Sequence, residues 1–124
     1  MHDLIVSGVL LLLLDSVFLF LIADIFSKQV ESVQKSKIQV DFMSAAICYL
    51  ILILGIYFFI IRERRSPIHA FLLGVFVYGV YETTSKSLLS KWNWNTVFID
   101  TLWGGLLFAL TAFFTYKILD VKWK

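Results

Sequence analysis

Residues 4–26 read LIVSGVLLLLLDSVFLFLIADIF, a nearly continuous apolar run with an aspartate, Asp15, near its middle. As a helix, a run of this length crosses the ~30 Å of hydrocarbon in a bilayer, because each residue adds ~1.5 Å. Three further runs have a similar length and composition: residues 42–61, 68–90 and 96–118. The four runs predict a single transmembrane domain that covers residues 1–124.

The composition excludes a soluble domain. Of the 124 residues, 60% are hydrophobic and 16% are charged, and the mean hydropathy is +0.85. Soluble domains are about 45–50% apolar and about 25% charged. The formal net charge of +2 is small and evenly spread, which argues against nucleic acid as a partner. The lipid bilayer is therefore the expected surrounding of the chain.

The length of the runs favours helices over the strands of a membrane barrel. Barrel strands are short and alternate in polarity, whereas these runs are continuous. Backbone groups in hydrocarbon need partners within the protein, and a helix provides them. Short connections pack neighbouring helices antiparallel. The predicted fold class is thus all-α, an integral membrane four-helix bundle with up-down-up-down order.

The segments that connect the four runs predict where helices begin and where the chain meets the membrane boundary. Ser66 and Pro67 are typical of an N-cap and a first helical residue. The polar stretch 27–41 leaves open whether a short interfacial helix forms between the first two spans. The tryptophans Trp92, Trp94 and Trp123 are expected to anchor the chain at the membrane boundary.

Basic residues bear on the orientation. Four spans place both termini and the second connection on one side, with six lysines and arginines against five on the other. The positive-inside rule then favours cytoplasmic N- and C-termini of a multi-pass protein. Which membrane holds the protein does not follow from the sequence.

Charged side chains within the spans identify the candidate site, since each costs at least ~2.5–3.5 kcal/mol to insert. Counted at ~1.5 Å per residue, Asp15 lies ~16 Å from one face of the bilayer and Glu82 ~21 Å. Lys86 and Asp100 both lie at ~27 Å, so an ion pair between them is predicted. The predicted polar layer consists of Asp15, Tyr78, Tyr81, Glu82, Thr84, Ser85, Lys86, Asp100 and Trp103.

Two interpretations of this layer remain open. A structural network would fix the helix register, as in an accessory subunit of a larger membrane complex. Alternatively, three carboxyls against one lysine leave excess acid, so at least one carboxyl is expected to hold a proton near neutral pH. Such a group serves a proton- or cation-linked channel or transporter. Four helices enclose little volume, which favours a homo-oligomer as the conducting form.

Enzymatic motifs are absent from the sequence. It contains no phosphate-binding glycine loop, nucleophile elbow, paired-cysteine metal site or HExxH motif. No catalytic, cofactor-binding or metal-binding residue is therefore predicted, and a lipid-handling enzyme is the least favoured alternative. The single cysteine, Cys48, is interpreted as a small buried hydrophobe.

Three segments resemble a family of uncharacterised four-helix membrane proteins, domain of unknown function 2177. They are Leu14-Asp15 followed by an aromatic residue, residues 78–85 (YGVYETTS), and residues 100–104 (DTLWG). The sequence departs from the family pattern with Glu82 for aspartate, Ser85 for asparagine, and Phe18 where tryptophan is common. The resemblance covers nearly the whole chain. It implies the four-helix fold and the polar layer, and it implies no activity.

Overall fold

A computed structural model of the chain describes residues 2–34, 42–89 and 92–123. These ranges form four α-helices and no strand, so the predicted all-α fold is confirmed. The helices are α1 (His2–Gln34), α2 (Phe42–Ile56), α3 (Pro67–Leu88) and α4 (Trp94–Leu119). α2 continues directly into a π-helical segment, Tyr57–Ile61.

Three of the described helical segments are long and apolar enough to cross a membrane. They are His2–Ile22, Phe42–Ile61 and Trp94–Leu119. α3 has a sufficient length of 22 residues but carries more polar side chains, among them Glu82 and Lys86. Its role as a fourth span, extending to residue 90 outside the described ranges, stays a prediction.

α1 is longer than the predicted first span. It continues through residue 34, so residues 27–34 extend the first helix and do not begin a separate interfacial one. The remainder of that connection, residues 35–41, lies outside the described residues, as does Lys91 in the third connection.

Contacts between helices establish the up-down-up-down order. Asp15 of α1 meets Tyr49 of α2, whereas Gly8, earlier in α1, packs against Ile53, later in α2. On the other side of the bundle, Gly74 of α3 lies against Gly104 of α4, and Gly79 lies against Thr101. In both pairs one residue number rises as the other falls, so the paired helices are antiparallel.

The interface between α3 and α4 is the closest in the molecule. A Cβ atom on Gly74 would lie only 2.9 Å from the Cα atom of Gly105 and would overlap the Gly104 carbonyl group. Small residues permit this approach, and packing replaces the hydrophobic effect between helices in lipid. A Cβ atom on Gly104 or Gly105 would likewise overlap side chains of α3, whereas a Cβ atom on Gly55 would have no neighbouring atom within 4 Å.

The turn after α2 is anchored to α4. The hydroxyl of Tyr116, which is buried, donates to the carbonyl oxygens of Ile60 at 3.1 Å and Arg65 at 2.6 Å. The Ile60 carbonyl also accepts from the Arg65 backbone N–H at 2.9 Å, so Tyr116 joins α4 both to the end of the π-helical segment and to the turn that follows it. Ser66 then caps α3, with its side chain accepting from the His69 backbone N–H, and Pro67 is the first helical residue. The predicted cap is confirmed.

The glycine contact gives a test of the packing. Gly74→Ala is expected to destabilise the protein by about 1–3 kcal/mol or more, because the added methyl group has no space beside the α4 backbone. The measurement is the thermal unfolding midpoint of the purified protein in mild detergent.

The matched control for this test is Gly55→Ala. Since Gly55 has no neighbour within 4 Å, its replacement by alanine in a helix is expected to leave stability unchanged or to raise it by up to ~1 kcal/mol. Equal midpoints for both variants would contradict the described α3–α4 contact.

Candidate functional site: a lateral acidic cavity

A cavity of about 470 Å³ lies between the four helices near the middle of their length. Each helix contributes to its wall, which is mostly apolar and contains two carboxyl groups. The lining residues are Asp15, Phe18 and Leu19 of α1, Cys48, Ile51 and Leu52 of α2, Val77, Tyr78 and Tyr81 of α3, and Asp100 and Trp103 of α4. We refer to it as the lateral cavity.

The lateral cavity opens on the outer surface of the bundle between α2 and α3. α3 packs along α4, and α1 bridges α2 to α4, but α2 and α3 scarcely touch each other. At the rim, Ile51 is 62% exposed and Tyr81 is 57% exposed. Ile51 lies inside a candidate membrane span.

Asp15 lies at the inner wall of this cavity and is only 6% exposed. One carboxyl oxygen, Oδ1, accepts a hydrogen bond from the Trp103 indole Nε1 at 3.0 Å. The other, Oδ2, accepts a short hydrogen bond from the Tyr49 hydroxyl. The Phe18 ring stacks on Trp103 with centroids 4.3 Å apart and fixes the indole. Two donors from two helices thus stabilise negative charge on one carboxyl.

A second carboxyl pair lies deeper, next to the cavity wall. Glu82 is completely buried, and its Oε1 accepts from the Trp92 indole Nε1 at 2.9 Å. Its Oε2 has no donor among the described residues. Glu82 and Asp100 are close enough for the charge of each carboxyl to act on the other, and the charge of Asp15 also acts on Asp100. Because a carboxylate can only accept, a direct hydrogen bond between two carboxyls requires a shared proton.

Further hydroxyl groups continue along the inner face of α4. Thr111 and Thr115 are completely buried, and their hydroxyls have no hydrogen-bond partner within the described ranges. Buried hydroxyls are normally paired with protein or ordered water. Thr111 lies ~16 Å beyond Asp100 along α4, and the buried residues between them include Gly104, Leu107 and Phe108. These two hydroxyls therefore form a separate group on the side of Tyr116 and the turn after α2.

Two members of the predicted polar layer lie outside it. The Lys86 ammonium lies 5.6 Å from the centroid of the Trp94 ring and forms no ion pair with Asp100. The predicted pair is wrong, since Lys86 occupies the last turn of α3, where a cation complements the helix dipole. Thr84 is exposed because it is turned ~200° around the helix from Glu82.

The remaining predicted residues lie at the cavity. Tyr78 lines it and makes an edge-to-face contact with Phe108, with ring centroids 6.4 Å apart. Tyr81 lies at the rim, and its hydroxyl is hydrogen-bonded to Ser85. The structure therefore brings six predicted residues to the cavity wall, its rim or the adjacent layer: Asp15, Tyr78, Tyr81, Ser85, Asp100 and Trp103. Glu82 joins them through its contact with Asp100.

The sequence interpretation missed two partners of the buried acids. Trp92 was expected at the membrane boundary but is only 5% exposed and binds Glu82. Tyr49 was not considered, although a tyrosine hydroxyl inside an apolar run needs a partner. Cys48, expected to be buried, is exposed at the cavity. Within the described ranges, no three His, Cys, Asp or Glu side chains converge to hold a metal ion.

Comparison with known proteins yields a family and no further relative. No curated protein and no solved structure matches the chain. The profile of a family described as "Predicted membrane protein", domain of unknown function 2177, matches residues 2–117. This range includes α1, α2 and α3, nearly all of α4, and both groups of buried acids. The chain therefore belongs to the domain of unknown function 2177 family of predicted membrane proteins.

Proposed function

We propose that this protein is a proton-linked membrane transporter or channel in which Asp15, Glu82 and Asp100 exchange protons. The observation that carries this proposal is the position of the three acids: Asp15 and Asp100 line the lateral cavity, and Glu82 is completely buried one helical turn beyond Tyr78 of the cavity wall. No lysine or arginine forms an ion pair with any of the three acids in the described part of the chain. Acidic side chains without a basic partner at bilayer depth are typical of proton relays.

The incomplete hydrogen bonding supports transport over a purely structural role. A structural network in an accessory subunit predicts a dry site in which every buried polar group has a partner. Glu82 Oε2, Thr111 and Thr115 lack such partners among the described residues. Water or an exchanging proton would complete these bonds.

A lipid-handling enzyme has weaker support. That alternative predicts a lateral groove that brings a lipid headgroup to Glu82 or Asp100. The lateral cavity does reach Asp100, but it lies near the middle of the helices, whereas headgroups lie at the edges of the hydrocarbon. A headgroup would have to enter the hydrocarbon to meet the acid.

The proposal includes a topology. We infer that α3 is the fourth span, because it lies antiparallel along α4 over the Gly74 and Gly79 contacts. Residues 1–124 then form one transmembrane domain with both termini on the side of the Arg62–Arg65 turn. The excess of basic residues on that side favours the cytoplasm.

We further propose that the transporting form is a homo-oligomer. The spans in α1 and α2 have only 22% and 17% of their residues buried, against 44% for α4. Their outer faces are available to a second copy or to another membrane protein, and a water path forms more readily between subunits than within four helices.

The oligomeric state has a direct test. Native mass spectrometry of the protein released from mild detergent is expected to give a dimer or larger assembly. A monomer that retains full transport activity after reconstitution would contradict the oligomer proposal.

Proton flux tests the function itself. Liposomes that contain the purified protein are expected to conduct protons, and Asp15→Asn or Glu82→Gln is expected to reduce the flux at least tenfold. Both substitutions keep the shape of the side chain and replace its titratable carboxyl group with an amide. The measurement is the quenching of an internal pH dye after a pH jump, across a series of pH values.

Exposed acids provide matched controls for the flux measurement. Asp120→Asn and Glu63→Gln make the same chemical changes at exposed positions outside the cavity, so both variants are expected to behave like the parent. If no protein of the series conducts at any pH while all are equally folded, the transport proposal fails and a structural subunit becomes the better explanation.

A further inference from the structure

We propose that the lateral cavity binds lipophilic organic monocations that enter from the bilayer between α2 and α3. The inference rests on the proposed function, since it names the substrate class of the same site. It requires an apolar pocket of sufficient volume, a negative group inside it, and an opening to lipid.

The volume and walls of the cavity suit an apolar molecule with one charged centre. Its 470 Å³ lies within the ~300–1,000 Å³ of small-molecule sites. Ile51, Leu52 and Val77 provide aliphatic wall. On the other side, Tyr78 and the stacked Phe18–Trp103 pair present aromatic rings, whose faces attract a cation.

The charges around Asp15 favour a cation over an anion. The titratable groups that face it are Tyr49 and Cys48 from α2, Tyr78 from α3 and Asp100 from α4. None of them is basic. No lysine or arginine lines the cavity. In this low-dielectric site the carboxyl attracts a bound cation strongly, and an anion would have no partner.

The position of the opening selects lipophilic cations. The rim residues Leu19, Ile51 and Val77 are exposed on the surface that faces lipid. A hydrated inorganic ion would pay a large desolvation cost along this route. An organic cation with aromatic or aliphatic substituents partitions into the bilayer and reaches the opening laterally. A neutral acyl chain fits the walls but leaves the carboxyl without a counter-charge.

The test uses tetraphenylphosphonium as the probe, measured by calorimetry with the full-length protein in nanodiscs. The parent and the control Asp120→Asn are expected to bind it with equal affinity. Asp15→Asn is expected to bind it at least tenfold more weakly, because it removes the negative charge from the cavity wall. Unchanged binding in Asp15→Asn, or equally tight binding of neutral triphenylphosphine oxide, would overturn the proposal.

A second measurement does not depend on the folding of a variant. Cys48 is the only cysteine of the chain and lines the cavity, so it reports occupancy. Saturating tetraphenylphosphonium is expected to slow the alkylation of Cys48 by N-ethylmaleimide at least fivefold, at about pH 9 where thiolate forms. An unchanged rate with the probe bound would place the binding elsewhere and overturn the inference.

The two proposals fail separately. Tetraphenylphosphonium binding that depends on Asp15 without any proton flux would overturn the proposed function and support the binding site. Proton flux that depends on Asp15, with no binding of the probe at any pH, would overturn the binding site and leave the proton role intact.

Discussion

A polar group in hydrocarbon has to find its partner within the protein, and this constraint governs the structure. Asp15 is the clearest case, because its two oxygens accept from Tyr49 of α2 and Trp103 of α4. One carboxyl thereby joins three helices and fixes their relative depth and rotation. A shift of α1 by one residue would move the carboxylate by ~1.5 Å and rotate it by ~100°, away from both donors.

The lateral cavity follows from unequal packing around this point. Glycines allow α3 to approach α4 to backbone contact at Gly74 and Gly104, and Tyr116 holds the end of α2 against α4. α2 is otherwise held through α1, so a gap remains between α2 and α3. The buried acids lie next to this gap, which gives a lipid-facing opening access to polar groups at the centre of the bundle.

Local features of the fold were predictable from the sequence, whereas contacts between helices were not. These local features depend on neighbouring residues and on the helical period. They are the lengths of the apolar runs, the start of α3 at Ser66 and Pro67, and the buried face of α4. The partners of the acids depend on the rotation of whole helices. In the structure, the Trp92 indole points inward and donates to Glu82, and the Lys86 ammonium lies over the Trp94 ring. Depth counted along each helix matched Lys86 to Asp100, whereas the antiparallel register of α3 and α4 places Lys86 level with Trp94.

We propose that the neighbouring Glu82 and Asp100 carboxyls hold a proton within the bundle. Infrared difference spectroscopy of the protein in lipid, titrated from acid to alkaline pH, tests it through the carbonyl stretch of protonated carboxylic acids. We expect this band to persist at neutral pH and to disappear in both Glu82→Gln and Asp100→Asn, while Glu63→Gln leaves it unchanged. A parent protein without a protonated carboxyl band at neutral pH would contradict the account.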